Sequence, residues 1–256
     1  MLGEALNNLK EPLSNLLRIL MENCSIVWYY NDYVLHNSFR KEKIMGVILD
    51  IFLFLGYEVL SGLVPFLIVF MVLRKIQKRK GVSFSRYYFF AMLVFSFYVI
   101  GVYYFTGAGT IYDGLRYKLE VRQNQVNFIP FSRDINIAGY LLNIVLFIPL
   151  GLLTPIIWKK MNNLTNIIGV GFFFTMLIEI SQLLNNRATD IDDILLNLLG
   201  SVVGFWLFKV WDRLTKSKFQ VGSSFTYELP IYITVIFVGR FFLYDGMGLA
   251  KLLYGF

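Results

Sequence analysis

The feature that most constrains this chain is a series of long stretches with few or no charged residues. The clearest, 87–105, contains none, and about 20 mostly apolar residues are enough for a helix to cross the hydrocarbon core of a bilayer. Comparable stretches are 44–73, 136–158, 161–186, 191–208 and 229–244. A soluble domain carries about 25% charged residues, whereas this chain has 16%. The sequence therefore predicts an all-α, polytopic helical membrane bundle rather than a soluble enzyme.

The predicted bundle has about five to six transmembrane helices. Arg240 interrupts the last stretch, so five helices are predicted, with 229–244 as the candidate sixth. Residues 1–43 contain equal numbers of acidic and basic residues and a half-apolar segment, which favours an amphipathic interfacial helix. We divide the chain into this N-terminal tail, 1–43, and a single membrane domain, 44–256.

The charges of the loops predict how the helices are oriented. Loops rich in Lys and Arg stay on the cytoplasmic side, and 74–86, 159–165 and 212–225 have this composition. Loops 106–135 and 187–193 then face outside. The excess of 24 Lys and Arg over 17 Asp and Glu is thus explained by topology. Anionic lipid headgroups, rather than nucleic acid, are the expected partners of 74–86.

The small number of histidine and cysteine residues excludes several chemistries. Cys24 is the only cysteine and His36 the only histidine, so neither an intramolecular disulfide nor a Cys/His zinc cluster can form. A Ser/His or Cys/His catalytic device would depend on His36 alone. The sequence predicts no cofactor.

Polar residues nevertheless occur within the predicted helices, where an ionisable group is costly and usually functional. Glu179 and Gln182 are three residues apart and share one helical face. Helical geometry also places a second set within an arc of about 80° on the next helix. That set is Asp190, Asp193, Asn197, Gly200 and Gly204. Asp192 points away from this stripe, and the two glycines would let a neighbouring backbone approach closely.

Each of these residues also has a structural explanation. Asp190 could cap a helix, Asn197 could join two helices, and Arg187 could pair with Glu179. Asn143 adds another amide to an apolar helix, in which Pro149 predicts a kink. Because so many costly groups converge at membrane depth, we expect the set to bind a ligand.

The ordered polar and proline residues resemble the signature of the VanZ-like family. The first half of the pattern is Asn127-Phe128-Ile129-Pro130-Phe131, then Asn143 and Phe147-Ile148-Pro149-Leu150-Gly151. The second half is Ile178-Glu179-Ile180-Ser181-Gln182, then Arg187, Asp190, Asp193, Asn197 and Gly200. This VanZ-like core covers about residues 87–211.

The resemblance implies a multi-pass protein of the bacterial cell membrane, largely of Gram-positive bacteria, associated with low-level resistance to teicoplanin and related lipoglycopeptides. Its biochemical activity is open. The residues predicted to bind the ligand near the outer face are Arg122, Asn127, Asn143, Glu179, Gln182, Arg187, Asp190, Asp193 and Asn197.

Three functions remain open from the sequence. In the first, the polar residues bind a lipid headgroup or a lipid-linked cell-wall precursor, with Arg187 on a phosphate or carboxylate. In the second, an intramembrane enzyme acts on a lipid-linked phosphate substrate, with Glu179 as general base and Asp190 and Asp193 as weak candidate metal ligands. The third, less favoured function is a small transporter or flippase.

Overall fold

The three-dimensional structure is a computed structural model. It describes residues 41–81, 86–116, 125–132, 137–185, 187–215 and 227–244; in the first range, side chains are described from Phe52 onward, except at 54. The predicted tail helix, Cys24, His36 and the candidate ligand residue Arg122 lie outside these residues.

Helices make up most of the described chain. They are α1 (Lys41–Arg79), α2 (Arg86–Thr106), α3 (Ile111–Arg116), α4 (Ile137–Ile157), α5 (Leu164–Gln182), α6 (Ile191–Thr215) and α7 (Glu228–Leu243), with a 3-10 turn at Lys159–Met161. Two short strands, β1 (Val126–Asn127) and β2 (Thr189–Asp190), pair in parallel.

Five helical segments of the described chain are long and apolar enough to cross a membrane. They are Leu55–Arg79, Arg86–Leu115, Ile137–Ile157, Leu164–Gln182 and Ile191–Thr215. The candidate sixth span corresponds to α7, which has 16 residues and is shorter than a typical spanning helix. These segments confirm the predicted all-α helical membrane bundle.

Glycines allow α4 and α6 to pack with their backbones in contact. A Cβ atom at Gly200 would overlap the carbonyl oxygen of Ile144, and one at Gly204 would overlap that of Ile148. On the facing helix, a Cβ atom at Gly151 would overlap the carbonyl oxygen of Ser201. The close approach predicted from the spacing of Gly200 and Gly204 is confirmed, and α4 is the partner.

The first and last helices of the described chain form a second packed pair, because Gly239 of α7 lies against Ser61 and Pro65 of α1. A buried ion pair also joins these helices, with the Arg240 Nε atom 2.8 Å from Glu58 Oε1. Helix α2 contacts both this pair and α4. The contacts therefore link all the long helices into one bundle.

The alternating direction of the helices sorts their ends into two groups. The C-terminal ends of α2 and α5 meet the N-terminal ends of α4 and α6, together with the β1–β2 pair. At the opposite end, the C-terminal part of α1 meets the N-terminal parts of α2 and α7. We call the first group the acidic end, because Glu179, Asp190, Asp192 and Asp193 lie there, and the second the basic end, because it adjoins the basic residues of 74–86.

Candidate polar binding site

The site is built where five elements of the acidic end converge, β1, β2, α4, α5 and α6. We call the following residues the acidic cluster: the acids Glu179, Asp190, Asp192 and Asp193 and the amides Asn127, Asn143, Gln182 and Asn197.

The parallel pairing of β1 and β2 places Asn127 beside Asp190, its partner in register. The Asn127 Nδ2 atom donates to both oxygens of Asp190, at 3.2 and 3.1 Å. Its Oδ1 atom accepts from the backbone N–H of Ile129 and from Ser132 Oγ, each at 3.1 Å. Asn127 therefore ties the loop after β1 to the start of α6.

Asp192 holds the same loop from the other side. It is 1% exposed and accepts from the backbone N–H of Phe131 at 2.9 Å and from the Tyr140 hydroxyl at 2.6 Å. Phe131 has a positive φ of 55°, so the loop turns sharply where it meets this carboxylate. Asp192 does point away from the stripe of Asp193 and Asn197, but it belongs to the cluster, which the sequence analysis missed.

Helices α5 and α6 face each other with matched polar positions one turn apart. The Asn197 Nδ2 atom donates to Thr175 Oγ1 at 2.8 Å. One turn nearer the acidic end, the carboxyl groups of Glu179 and Asp193 are close enough for their charges to interact. Asp193 also accepts from Asn143 Nδ2 of α4. The residues predicted on these three helices are therefore brought together.

Three buried polar atoms of the cluster have no hydrogen-bond partner among the described residues: Glu179 Oε2, Gln182 Oε1 and Asn197 Oδ1. The side chains are 3%, 6% and 1% exposed, respectively. Gln182 uses its Nε2 atom to donate to the Thr106 carbonyl at 2.7 Å. Such atoms are uncommon in folded proteins, because a buried polar atom without a partner costs about 1–3 kcal/mol.

Arg187 closes the cluster on the side of α2. Its Nη1 atom donates to the Thr106 carbonyl at 2.8 Å, and its guanidinium covers Gly107, where a Cβ atom would overlap it. Gly107 has a φ of +61°, which favours glycine. The structure thus places Arg187 on the end of α2 rather than in an ion pair with Glu179.

Backbone carbonyl groups and loop residues complete the site. The Gln125 Nε2 atom donates to the Leu183 carbonyl at 3.0 Å, and the Gln125 carbonyl accepts from the Thr189 N–H at 2.8 Å. Asn185 donates to the Gly107 carbonyl at 2.7 Å. Sequence reasoning missed these contacts because a backbone acceptor carries no side-chain signal.

The candidate metal ligands are Asp190 and Asp193. Within the described ranges, no group of three or more His, Cys, Asp or Glu side chains is arranged to hold a metal ion. Asp190 and Asp193 instead accept hydrogen bonds from Asn127 and Asn143, respectively.

Another buried carboxylate, Glu228, lies at the basic end. It is 3% exposed and accepts from Gln77 Nε2, from the Tyr88 hydroxyl at 2.6 Å and from Trp158 Nε1 at 3.3 Å. The Arg74 guanidinium stacks over Tyr88, with 4.7 Å between its central carbon and the ring centre. This group was not predicted from the sequence.

These observations define a multi-pass helical membrane protein with a buried acidic cluster at one end of the bundle. Residues 89–212 match the family model described as VanZ/LLP1. Over this segment the chain is similar to the VanZ-like family, which confirms the resemblance stated above. No curated protein and no solved structure matches the chain. The matched segment contains the whole acidic cluster, whereas Glu58, Glu228 and Arg240 lie outside it.

Proposed function

We propose that this protein lies in the bacterial cell membrane with its acidic cluster near the outer face, where the cluster binds a lipid headgroup or a lipid-linked cell-wall precursor. By occupying or shielding this ligand, the protein would lessen the access of teicoplanin and related lipoglycopeptides to their target. The proposal is carried by the unpartnered buried atoms of Glu179, Gln182 and Asn197. A polar ligand that forms hydrogen bonds with these atoms would offset the free energy that their burial costs.

Residues around the cluster support an interfacial position. Phe128, Ile129 and Phe131 are exposed beside Asn127, and aromatic side chains are enriched where a membrane meets water. The basic residues of 74–86 adjoin the opposite end of the bundle, in keeping with a cytoplasmic basic end. In the proposal Arg187 meets a phosphate or carboxylate of the ligand, since a guanidinium donates several hydrogen bonds in a fixed plane.

The resistance role is tested by expressing the full chain in a glycopeptide-susceptible Gram-positive host and measuring susceptibility to teicoplanin and vancomycin. We expect wild-type protein to raise the inhibitory concentration of teicoplanin and Glu179→Gln to lose most of that increase. Asp212→Asn, at the other end of α6, is the control and should behave as wild type. Equal protection by Glu179→Gln and wild type at equal expression would refute the proposed role of the cluster.

The orientation is tested by cysteine accessibility in a Cys24→Ser background. Cysteines introduced at 188 and 189 should react with a membrane-impermeant reagent added to intact cells, whereas those at 75 and 78 should react only after permeabilisation. The reverse pattern would place the acidic cluster on the cytoplasmic side and overturn the proposal.

The alternative of an intramembrane enzyme also has an observation in its favour. Glu179 is buried beside Asp193 and keeps one carboxyl oxygen without a partner among the described residues, which suits a general base. Incubating purified protein with a lipid-linked phosphate substrate would distinguish the two functions. Turnover that Glu179→Gln abolishes favours the enzyme, and loss of turnover on chelation favours its metal-dependent form. Binding without chemical change favours the binding protein.

A further inference from the structure

The unpartnered atoms of the acidic cluster are all oxygens, Glu179 Oε2, Gln182 Oε1 and Asn197 Oδ1. The donor side of Gln182 is fixed because the Thr106 carbonyl can only accept, so its Oε1 atom is the free side. Asn127 and Asn143 likewise use their N–H groups on the carboxylates of Asp190 and Asp193. The amide N–H groups of these residues thus donate to the protein itself, and oxygens that can accept a hydrogen bond remain available to a ligand.

The charge of the cluster also favours a ligand that donates hydrogen bonds, and in particular a cation. Four carboxyl groups lie within it, while Arg187 is the cation contributed by the described residues around it and donates to the Thr106 carbonyl. A net negative cluster attracts a cation and repels a second phosphate. Asp190 and Asp193 are half-buried, whereas Glu179 and Asn197 are 3% and 1% exposed. Negative charge and open acceptors therefore extend from the surface of the bundle inward.

We infer that the group entering the acidic cluster is a primary ammonium, carried by a lipid headgroup or by a lipid-linked cell-wall precursor. This inference rests on the proposed function and specifies its ligand. An ammonium group has three N–H donors and no acceptor, whereas the open atoms of Glu179, Gln182 and Asn197 are oxygens that can accept a hydrogen bond. A phosphate on the same ligand would then lie outside the acids, on the side of Arg187.

The test uses the full chain in phosphatidylglycerol nanodiscs that contain one probe lipid, with binding measured by native mass spectrometry. Phosphatidylethanolamine supplies both charge and N–H donors. Its N-acetylated form keeps an N–H but loses the charge, and phosphatidylcholine keeps the charge but has no N–H. A second arm compares a lipid-linked muropeptide that has a free side-chain amine with its acetylated form. The arm with the larger preference identifies the source of the ammonium.

We expect wild-type protein to bind the free-amine probe of the favoured arm about tenfold more tightly than its acetylated form, because charge-assisted hydrogen bonds are the stronger ones. Phosphatidylcholine should not substitute for the amine. Glu179→Gln and Asp193→Asn should each abolish this preference, so that the free-amine and acetylated probes bind about equally. Asp212→Asn makes the same kind of change on α6 outside the cluster and should keep the preference. Thermal unfolding of each variant checks that the fold is intact, and Asp193→Asn serves if Glu179→Gln unfolds.

Other outcomes separate this inference from the proposed function. If free-amine and acetylated probes bind wild-type protein equally and Glu179→Gln weakens both, the cluster binds lipid but the ammonium assignment is wrong. If Mg²⁺ alone raises the unfolding temperature through Glu179, the guest is a metal ion and the inference is overturned. If no probe binds and Glu179→Gln leaves teicoplanin susceptibility unchanged, both the inference and the proposed function fail.

Discussion

Glu179 and Glu228 are two carboxyl groups at opposite ends of the same bundle, and both are 3% exposed. Glu228 accepts hydrogen bonds from three side chains, those of Gln77, Tyr88 and Trp158. Glu179 has an oxygen with no partner among the described residues and faces another acid, Asp193. The two sites therefore differ in the hydrogen-bond partners of the carboxyl group and not in how deeply it is buried.

Under the proposed function, this difference distinguishes a structural carboxylate from one that binds a ligand. A buried charge is tolerated when donors surround it, and Glu228 meets this condition through residues of the chain itself. Glu179 meets it only in part, because one of its oxygens has no partner among the described residues. Glu179 also lies in the segment that matches the family, residues 89–212, and Glu228 lies outside it. The comparison predicts that changes at satisfied carboxylates lower stability and that changes at Glu179 alter function.

The largest expected loss of stability comes from a further buried carboxylate, Glu58, which is paired with Arg240 at 2.8 Å. Arg240→Met removes the cation and leaves Glu58 buried without its partner. Breaking a buried pair in this way costs about 3–5 kcal/mol. Equilibrium unfolding in mixed micelles should show this loss, and Glu58→Gln combined with Arg240→Met should restore part of it. A single variant as stable as wild type would contradict the structural role of the pair.

Glu228→Ala should lower the free energy of unfolding by about 3 kcal/mol, because it leaves three buried donors without their acceptor. The same unfolding measurement applies. Glu228→Gln is the matched control, since its side-chain oxygen can still accept, and it should lose less. The comparison between the two ends would break down if Glu228→Ala were as stable as wild type while teicoplanin protection disappeared.

A smaller effect is expected at Asp192, which holds the loop after β1 through the Phe131 N–H and the Tyr140 hydroxyl. Asp192→Asn keeps an acceptor but loses the charge that strengthens both bonds. We expect a loss of about 1–2 kcal/mol and faster hydrogen exchange of the Phe131 amide. Unchanged exchange at Phe131 would show that the loop does not depend on this carboxylate.

Much of the fold was accessible from the sequence because it depends on local patterns. Runs such as 87–105 and 136–158 contain no charge, and this requirement of the bilayer identifies a spanning helix without knowledge of its neighbours. The spacing of Gly200 and Gly204 likewise predicted a close helix contact, although its partner α4 emerged only from the structure. Helix 228–243 was harder to predict, because it combines a short length with Arg240.

From helical periodicity alone, the site was accessible only where its residues share a helical face, whereas Asn127, Asn143 and Arg187 were named through their polarity or through the family resemblance. Glu179 and Gln182 are three residues apart, and the period of the helix places them together. Asp192 was missed because the loop that covers it has no period. The Glu228 group brings together Gln77 of α1, Tyr88 of α2 and Trp158, which follows α4. No local pattern relates residues so far apart in the chain.

The smallest change in stability should come from Glu179→Gln, and this prediction sharpens the comparison most. The substitution removes a charge that faces Asp193 and keeps an oxygen and nearly the same volume. In contrast to Glu228, no side-chain donor is described on the unpartnered oxygen, so little bonding is lost. We expect the free energy of unfolding to stay within about 1 kcal/mol of wild type, measured in micelles without added lipid or precursor.

The same variant should nevertheless lose the stabilisation that a ligand gives. A ligand at a hundred times its dissociation constant adds about 2.7 kcal/mol to the free energy of unfolding, so the free-amine probe should raise the unfolding temperature of wild-type protein and not that of Glu179→Gln. A loss of about 3 kcal/mol in Glu179→Gln without any ligand would contradict this. It would mean that Glu179, like Glu228, is a structural carboxylate. Only the replacement of a group that already has its partners in the ligand-free protein can lower the free energy of unfolding by that amount.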